Sequence, residues 1–178
     1  MRHSALALGL LLALSGPAVA QDPLGKFLPR KEGATACFSR VYDSAHLAKH
    51  KDQTVAQIGF NIAYVVVRDE QYGEGAKYYA YELRVRRRGD GPELIAQGNC
   101  ENRGSRISCY VECDGGNIYL RPRGERSIVL EFGDSDGILM NSGCSDDEGT
   151  DVLRPGKDDK SFRLDRLPAS HCPAFGLW

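Results

Sequence analysis

The chain has 178 residues, a length that suits one domain better than two. It carries 23 Lys and Arg against 24 Asp and Glu, which gives a net charge of −1 at pH 7. The chain therefore lacks the strongly basic composition of many nucleic-acid-binding domains, and we expect no nucleic acid as a partner. Its net charge also does not require an anionic membrane as a partner.

The segment MRHSALALGLLLALSGPAVA (residues 1–20) has the features of a Sec-type signal peptide. It has a basic start, an apolar run and an Ala-Val-Ala cleavage site that ends at Ala20. The apolar run is too short to span a bilayer, and Gln21 replaces the cysteine that a lipid anchor needs. We therefore expect a periplasmic or secreted protein with no transmembrane anchor. Cleavage after Ala20 would remove Arg2 and leave the mature chain with a net charge of −2.

The rest of the chain divides into two predicted parts, with residues 21–35 as a loose N-terminal segment and 36–178 as a single β domain. Only residues 39–53 predict a helix, which would be short and would begin at Asp43 or Ser44 as N-cap.

From Thr54 onward apolar residues alternate with others at a period of two, and this alternation predicts strands. Asp-Gly turn signals recur between the runs. The prediction is an all-β fold with one short N-terminal helix, an antiparallel up-and-down barrel or sandwich of about eight strands with a C-terminal tail at 169–178. The predicted strands are 54–66, 79–85, 94–100, 106–113, 118–121, 128–132, 138–140 and 161–164.

Six cysteines that follow a signal peptide are expected to form disulfides, because exported proteins meet an oxidising compartment. A two-residue type II′ turn at Gly104-Ser105 would place Cys100 opposite Cys109 in a non-hydrogen-bonded pair, with Cα atoms about 4.5 Å apart. A disulfide accepts this separation.

Cys113 cannot reach Cys109 within one strand, because four residues of strand span roughly 13 Å. We expect it to pair with Cys144, which leaves Cys37 and Cys172 to join the start of the domain to its tail. The last two pairs are a choice among several connectivities, since six cysteines allow about fifteen.

Other roles for these residues find little support in the spacing. The intervals C-x8-C and C-x3-C lack the close cysteine pairs of zinc sites, and an even count leaves no spare thiol for a nucleophile. His46 and His50 could face one metal from a helix, with His171 as a third ligand, but a solvated helix face is the expected alternative. Arg88-Gly89-Asp90 matches an adhesive tripeptide and is expected to be an ordinary turn.

No nucleophile elbow, P-loop or dinucleotide fingerprint occurs in the sequence. Paired carboxylates could act in glycoside hydrolysis, but spacing alone selects no pair among 24 acids. We therefore assign no catalytic residue, metal or cofactor from the sequence.

Charge is segregated along the chain. Residues 84–126 contain nine arginines and no lysine, whereas 127–153 contain seven acids and no basic residue. The acidic stretch suggests calcium, but Asp134-Ser135-Asp136-Gly137 does not continue as an EF-hand. The arginines predict either the polar outer face of a barrel or a face that binds anions. The candidates for that anion-binding face are Arg84, Arg86, Arg121 and Arg123.

In its expected strand count and export, the chain is similar in outline to the calycin group of small barrels, which includes lipocalins and periplasmic inhibitors of lysozyme or proteases. The lipocalin Gly-x-Trp near the first strand is absent, since the one tryptophan is Trp178. We expect a non-catalytic exported domain that binds a small ligand, an anionic envelope component or a secreted protein. The alternatives are an inhibitor of a secreted hydrolase and a hydrolase with a scattered site. An apolar cavity would indicate the first function, a filled core with a rigid loop the second, and a polar cleft the third.

Overall fold

A computed structural model describes residues 22–140 and 151–172, and strands dominate them. The predicted signal peptide, Cys144 and the end of the predicted tail (173–178) lie outside the described residues. The helices are α1 (Pro23–Phe27) and α2 (Ser44–Lys49), with 3₁₀ turns at Glu70–Tyr72 and Ala169–His171. The strands are β1 (Thr35–Val41), β2 (Val55–Val66), β3 (Lys77–Arg87), β4 (Leu94–Arg103), β5 (Arg106–Tyr110), β6 (Asn117–Arg123), β7 (Ser127–Phe132), β8 (Ile138–Met140), β9 (Asp151–Leu153) and β10 (Ser161–Arg166).

Eight of these strands form a closed antiparallel barrel in the order β1-β10-β7-β6-β5-β4-β3-β2. The prediction of an all-β fold with about eight antiparallel strands is confirmed, and closure selects the barrel over the sandwich. Closure also pairs both edges of the sheet, so the barrel presents no open strand edge.

The strands of the barrel are not quite the predicted set. β1 was missed, because only Ala36 and Phe38 mark its inward face. The run at 138–140 is not a barrel strand but pairs with β9 as a separate hairpin. The helix predicted over 39–53 shrinks to α2, whose N-terminus is capped by the Asp43 side chain accepting from the His46 N–H at 2.7 Å.

The interior of the barrel is packed with side chains from the inward faces of its strands. Phe60, Tyr81 and Leu83 are fully buried, and the inward residues form one hydrophobic cluster. The Phe60 and Tyr81 rings stack with centroids 5.8 Å apart. Eight strands enclose an interior just wide enough for side chains, so the central space is a core.

Each end of the barrel is covered by a local element. The segment predicted to be loose at 21–35 contains α1, and its Leu24 and Leu28 are buried in the core cluster. At the opposite end the β8–β9 hairpin buries Ile138 and Met140. The Arg87 guanidinium at the end of β3 holds this hairpin by donating to the Asp151 carboxylate at 3.0 Å and the Val152 carbonyl oxygen at 3.1 Å.

Two of the three predicted disulfides are present among the described residues. Cys100 and Cys109 are direct cross-strand partners with Cα atoms 4.0 Å apart. The turn between them has Gly104 at a φ of 65°, as the first position of a type II′ turn requires.

The second disulfide joins Cys37 to Cys172, with Cα atoms 5.6 Å apart. Cys113 is also disulfide-bonded. Its predicted partner, Cys144, is among the residues that are not described. No helix within 22–140 or 151–172 has the length and apolar character needed to cross a membrane.

Candidate binding cleft

A cleft of about 420 Å³ opens at the rim of the barrel, at the end that carries α1. Strands β3, β4 and β5 supply most of its lining, and the segment around α1 closes one side. We call it the tyrosine cleft, because four of its side chains are tyrosines. Its lining consists of Leu24, Arg30, Tyr64, Lys77, Tyr78, Tyr79, Asn99, Cys100, Glu101, Asn102 and Tyr110.

Strand register brings the outer tyrosines together from distant parts of the sequence. Asn99 of β4 pairs with Ala80 of β3 on one side and with Tyr110 of β5 on the other. Tyr78 is two residues from Ala80, so side-chain alternation places it on the same outer face. Tyr78, Asn99 and Tyr110 are all half-buried. They give the outer side of the cleft two phenol rings and an amide.

The inner side of the cleft is the mouth of the barrel. Tyr64 and Tyr79 are cross-strand partners whose rings meet edge to face, with centroids 4.9 Å apart. The Tyr79 hydroxyl donates to the Leu28 carbonyl oxygen at 2.9 Å. Burial raises the pKa of the Tyr79 phenol above its ordinary value. This side of the cleft is therefore neutral and fixed in place by the core.

Asn102 fastens the α1 segment to the end of β4. Its side-chain oxygen accepts from the Leu24 N–H at 2.9 Å, and its amide donates to Asp22 Oδ1 at 2.7 Å. The pKa of Asp22 lies below its usual range, because the carboxylate accepts hydrogen bonds from the Asn102 amide and the Gly25 N–H and lies near the Arg30 guanidinium. The result is a polar network that fixes the closed side of the cleft.

The two cationic side chains of the cleft, Arg30 and Lys77, differ in whether a carboxylate neutralises them. Arg30 Nη2 lies 2.9 Å from Asp22 Oδ2. In the described part of the chain, Lys77 has no such carboxylate partner. Cys100 offers no thiol, since it is bonded to Cys109. Phenol rings, amides, the Lys77 ammonium and the Glu101 carboxylate can hold a ligand, but they do not form a nucleophile with an adjacent base.

The four arginines that the sequence nominates for anion binding fall into two separate pairs. Arg84 and Arg86 lie on β3, and β4 and β5 separate them from Arg121 and Arg123 on β6. Arg84 Nε is 2.6 Å from the Glu82 carboxylate. Carboxylate neighbours, including Glu93 at 3.1 and 3.2 Å from Arg84 and Arg86, compensate the first pair.

The second pair belongs to a larger exposed set. We call the outward-facing Arg106, Arg121, Arg123 and Arg163 of β5, β6 and β10 the arginine wall. Arg106 stacks over the Tyr119 ring at 3.9 Å from its centroid. Arg121 is 2.7 Å from Glu131, whereas Arg123 has no carboxylate partner among the described residues. Positive charge on this side is therefore only partly compensated.

The candidate histidines do not converge on a metal. The rings of His46 and His50 stack with centroids 4.3 Å apart, and His46 Nε2 lies 3.0 Å from Gln53 Oε1. His171 lies in a 3₁₀ turn beside Cys172, with Nδ1 3.2 Å from the Ser170 hydroxyl. Within the described ranges, no group of three or more His, Cys, Asp or Glu side chains could hold a metal ion.

The loop between β5 and β6 has an unusual backbone. Cys113 and Asp114 are consecutive non-glycine residues with positive φ angles of 56° and 58°. Glu112, Cys113 and Asp114 are exposed, and the disulfide of Cys113 restrains the loop. Non-glycine residues in the left-handed region cost free energy and persist only where the surrounding structure imposes that conformation. Such residues cluster at functional sites.

Sequence reasoning missed the tyrosine cleft. Each tyrosine belongs to a strand whose alternation explains it as a wall residue, and nothing marks Tyr64, Tyr78 and Tyr110 as neighbours until the register is known. Comparisons with family models, curated protein sequences and solved structures found no match to this chain. The site is therefore interpreted from its own geometry.

Proposed function

We propose that this protein is an exported, non-catalytic β-barrel domain that binds a small polar ligand or an envelope component in the tyrosine cleft. The observation that carries the proposal is a cleft at the rim of the described barrel. Core side chains fill the interior, and a cleft of about 420 Å³ lies outside at the rim. That volume falls within the range of small-molecule sites, so recognition on the outside of the barrel is favoured over sequestration inside it.

The lining indicates the chemistry of the ligand. Tyr78 and Tyr110 offer rings that can pack on a flat or ring-shaped surface, and Asn99 offers both a donor and an acceptor. Lys77 adds a cation that has no carboxylate partner among residues 22–140 and 151–172. A ligand with a sugar or aromatic ring and a carboxylate or phosphate group fits this combination. Fragments of envelope polymers provide both features.

Isothermal titration with a soluble muropeptide tests this function, because the muropeptide carries sugar rings and carboxylates. Saturable binding by the wild-type protein is expected. Tyr78→Ala or Lys77→Ala should each weaken it about tenfold, the effect of losing roughly 1.4 kcal/mol of contact. Tyr42→Ala and Lys160→Ala, which lie outside the cleft, are matched controls and should bind like the wild type. Absence of binding, or equal loss in the controls, contradicts the assignment for this ligand class.

A second candidate function is inhibition of a secreted hydrolase by the β5–β6 loop. The supporting observation is the pair of left-handed residues Cys113 and Asp114 in an exposed, disulfide-restrained loop. A rigid loop loses little conformational entropy when it enters an active-site cleft, which favours tight binding.

Inhibition assays against lysozyme and serine proteases separate the two functions. Asp114→Gly relieves the need for a left-handed non-glycine residue and removes the exposed carboxylate, so it should weaken inhibition while muropeptide binding is unchanged. Tyr78→Ala should show the opposite pattern. A protein that inhibits none of these enzymes at micromolar concentration does not have this second function toward them.

A further inference from the structure

Strand register places the arginines of the arginine wall in one row across four neighbouring strands. β5 and β6 pair in a register that puts Arg106 beside Arg121. The row continues from Arg121 to Val129 of β7 and from Val129 to Arg163 of β10. Neighbouring strands are about 4.8 Å apart, so the row is roughly 14 Å long. Arg123 lies two residues beyond Arg121 on the same outward face.

The guanidinium groups of the arginine wall outnumber the carboxylates that contact them. Arg121 lies 2.7 Å from Glu131, and Arg163 lies 3.8 Å from Asp165. The Asp165 carboxylate also accepts from Arg40 at 3.2 Å, so its charge is divided between two cations. These carboxylates therefore neutralise only part of the positive charge.

The other two arginines of the wall have no carboxylate partner in the described part of the chain. Arg106 and Arg123 are both exposed, and no ion pair within 22–140 or 151–172 engages them. The Arg106 guanidinium lies over the Tyr119 ring, 3.9 Å from its centroid. Stacking uses the face of a guanidinium, so the N–H groups at its edge can still donate to a ligand.

The spacing and the type of cation indicate the chemistry of a partner. Cations on neighbouring strands, about 4.8 Å apart, match a polymer with one anionic group per sugar, because a sugar ring has about that length. A guanidinium fork pairs bidentately with a carboxylate, and Arg121 already contacts the carboxylate of Glu131.

Nucleic acid fits the same surface less well. Proteins that bind single strands offer exposed aromatic rings on which bases stack. The Tyr119 ring lies beneath Arg106, and Tyr119 is only 5 % exposed. The wall therefore provides charge without a stacking platform, which favours an anionic polymer that has no bases.

We propose that the arginine wall binds an acidic polysaccharide with one carboxylate per sugar, and that the polymer follows the row from Arg106 to Arg163. Successive carboxylates pair with Arg106 and Arg121, the polymer then passes the uncharged Val129, and a further carboxylate pairs with Arg163. This site is separate from the tyrosine cleft, and the inference does not depend on what the cleft binds. Binding here would retain the domain at a surface coated with such a polymer.

Isothermal titration with oligogalacturonate at low ionic strength tests the proposal, because each sugar of this polymer carries a carboxylate. Saturable binding by the wild-type protein is expected, and it should weaken as the salt concentration rises. Arg106→Gln with Arg123→Gln removes the two arginines that lack carboxylate partners and should weaken binding about tenfold. Arg68→Gln with Arg86→Gln removes the same charge outside the wall, where carboxylates pair with both arginines, and should bind like the wild type.

Equal loss in the two double variants overturns the proposal, because net charge would then decide binding. Absence of wild-type binding also overturns it, as does tighter binding of polyphosphate or single-stranded DNA of equal charge. Tyr78→Ala should leave oligogalacturonate binding unchanged, and a loss as large as that of the wall variant would place the polymer in the tyrosine cleft instead. If Arg106→Gln lowers the melting temperature, Arg123→Gln with Arg163→Gln serves the same purpose.

A variant that conserves charge tests the pairing with carboxylates. Arg121→Lys with Arg123→Lys keeps both positive charges but removes the planar forks, so it should weaken oligogalacturonate binding roughly threefold. Unchanged affinity in this variant would overturn bidentate recognition of the carboxylates.

Discussion

Two outer faces of the barrel are built by the same alternation, yet they present opposite surfaces. One is the covered wall, which we define as the buried outward row Cys37, Asn61 and Glu82 of β1, β2 and β3 with the neighbouring Ala63 and Ala80, and the other is the arginine wall. On the covered wall the outward Glu82 is 1 % exposed. On the arginine wall the outward Arg121 and Arg163 side chains are 57 % and 64 % exposed. A period of two tells which side of a strand faces the core, but it does not tell what lies over the other side. Exposure of an outward residue is a tertiary property.

On the arginine wall, the arginine side chains themselves can cover an apolar residue that lies between them. Val129 of β7 pairs with Arg121 on one side and Arg163 on the other, and it is only 6 % exposed. Long arginine side chains can shield an apolar neighbour with their methylene groups while the guanidinium stays in water. The covered wall has the small residues Ala63 and Ala80 instead of long side chains.

The largest effect on stability should come from removing the two disulfides of the described residues, one on the covered wall and the other in the β4–β5 hairpin. Cys37→Ser with Cys172→Ser opens a loop of sequence separation 135 and should lower the free energy of unfolding by about 5 kcal/mol. Cys100→Ala with Cys109→Ala opens a separation of only 9 and should cost about 2.7 kcal/mol. Urea unfolding measures both changes. Equal losses would show that loop length does not decide the effect.

A smaller difference should follow from removing one carboxylate on each wall. Glu82→Gln places an amide N–H against Arg84 in a buried site, so it should lower the free energy of unfolding by about 2 kcal/mol. Glu131→Gln removes an exposed partner of Arg121 and should cost less than about 0.5 kcal/mol. The same urea titration tests both, and a loss at Glu131 as large as that at Glu82 would contradict the comparison.

The smallest effect on stability, with a separate effect on binding, should come from the arginines themselves. Arg121→Ala with Arg123→Ala should change the unfolding free energy by less than about 0.5 kcal/mol. It should also lower the salt concentration needed to elute the protein from a heparin column. Arg86→Ala is the control, since Glu93 compensates that charge. Unchanged elution of the double variant would mean that the arginine wall is a solvent-exposed polar face and does not bind the polyanion.

Patterns that extend along one strand or one hairpin were predictable from the sequence. The alternation in β2 and β3 indicated their inward faces, and the Gly104-Ser105 turn gave the Cys100–Cys109 register. These signals are local, because each depends on residues within one strand or one turn.

Features that depend on several strands were not predictable. β1 has too few apolar positions to reveal its alternation, and it is recognisable only through its pairing with β2. Glu82 looks like a surface residue in its strand, yet it is buried and accepts hydrogen bonds from Arg84 and from Gln97 of the neighbouring strand. The tyrosine cleft likewise depends on the registers of β2 to β5 together with α1.

The Cys37–Cys172 disulfide turns almost the whole barrel into a covalent macrocycle. β1 and β10 pair through only Phe38 with Arg166 and Ser39 with Asp165, so this seam is short compared with the other strand pairs. The disulfide spans the same seam. A protease that cut any single hairpin tip between these cysteines would leave both fragments attached to each other. A nicked molecule could therefore refold as one particle, and new termini opened at an exposed tip, such as Gly89-Asp90, should be tolerated.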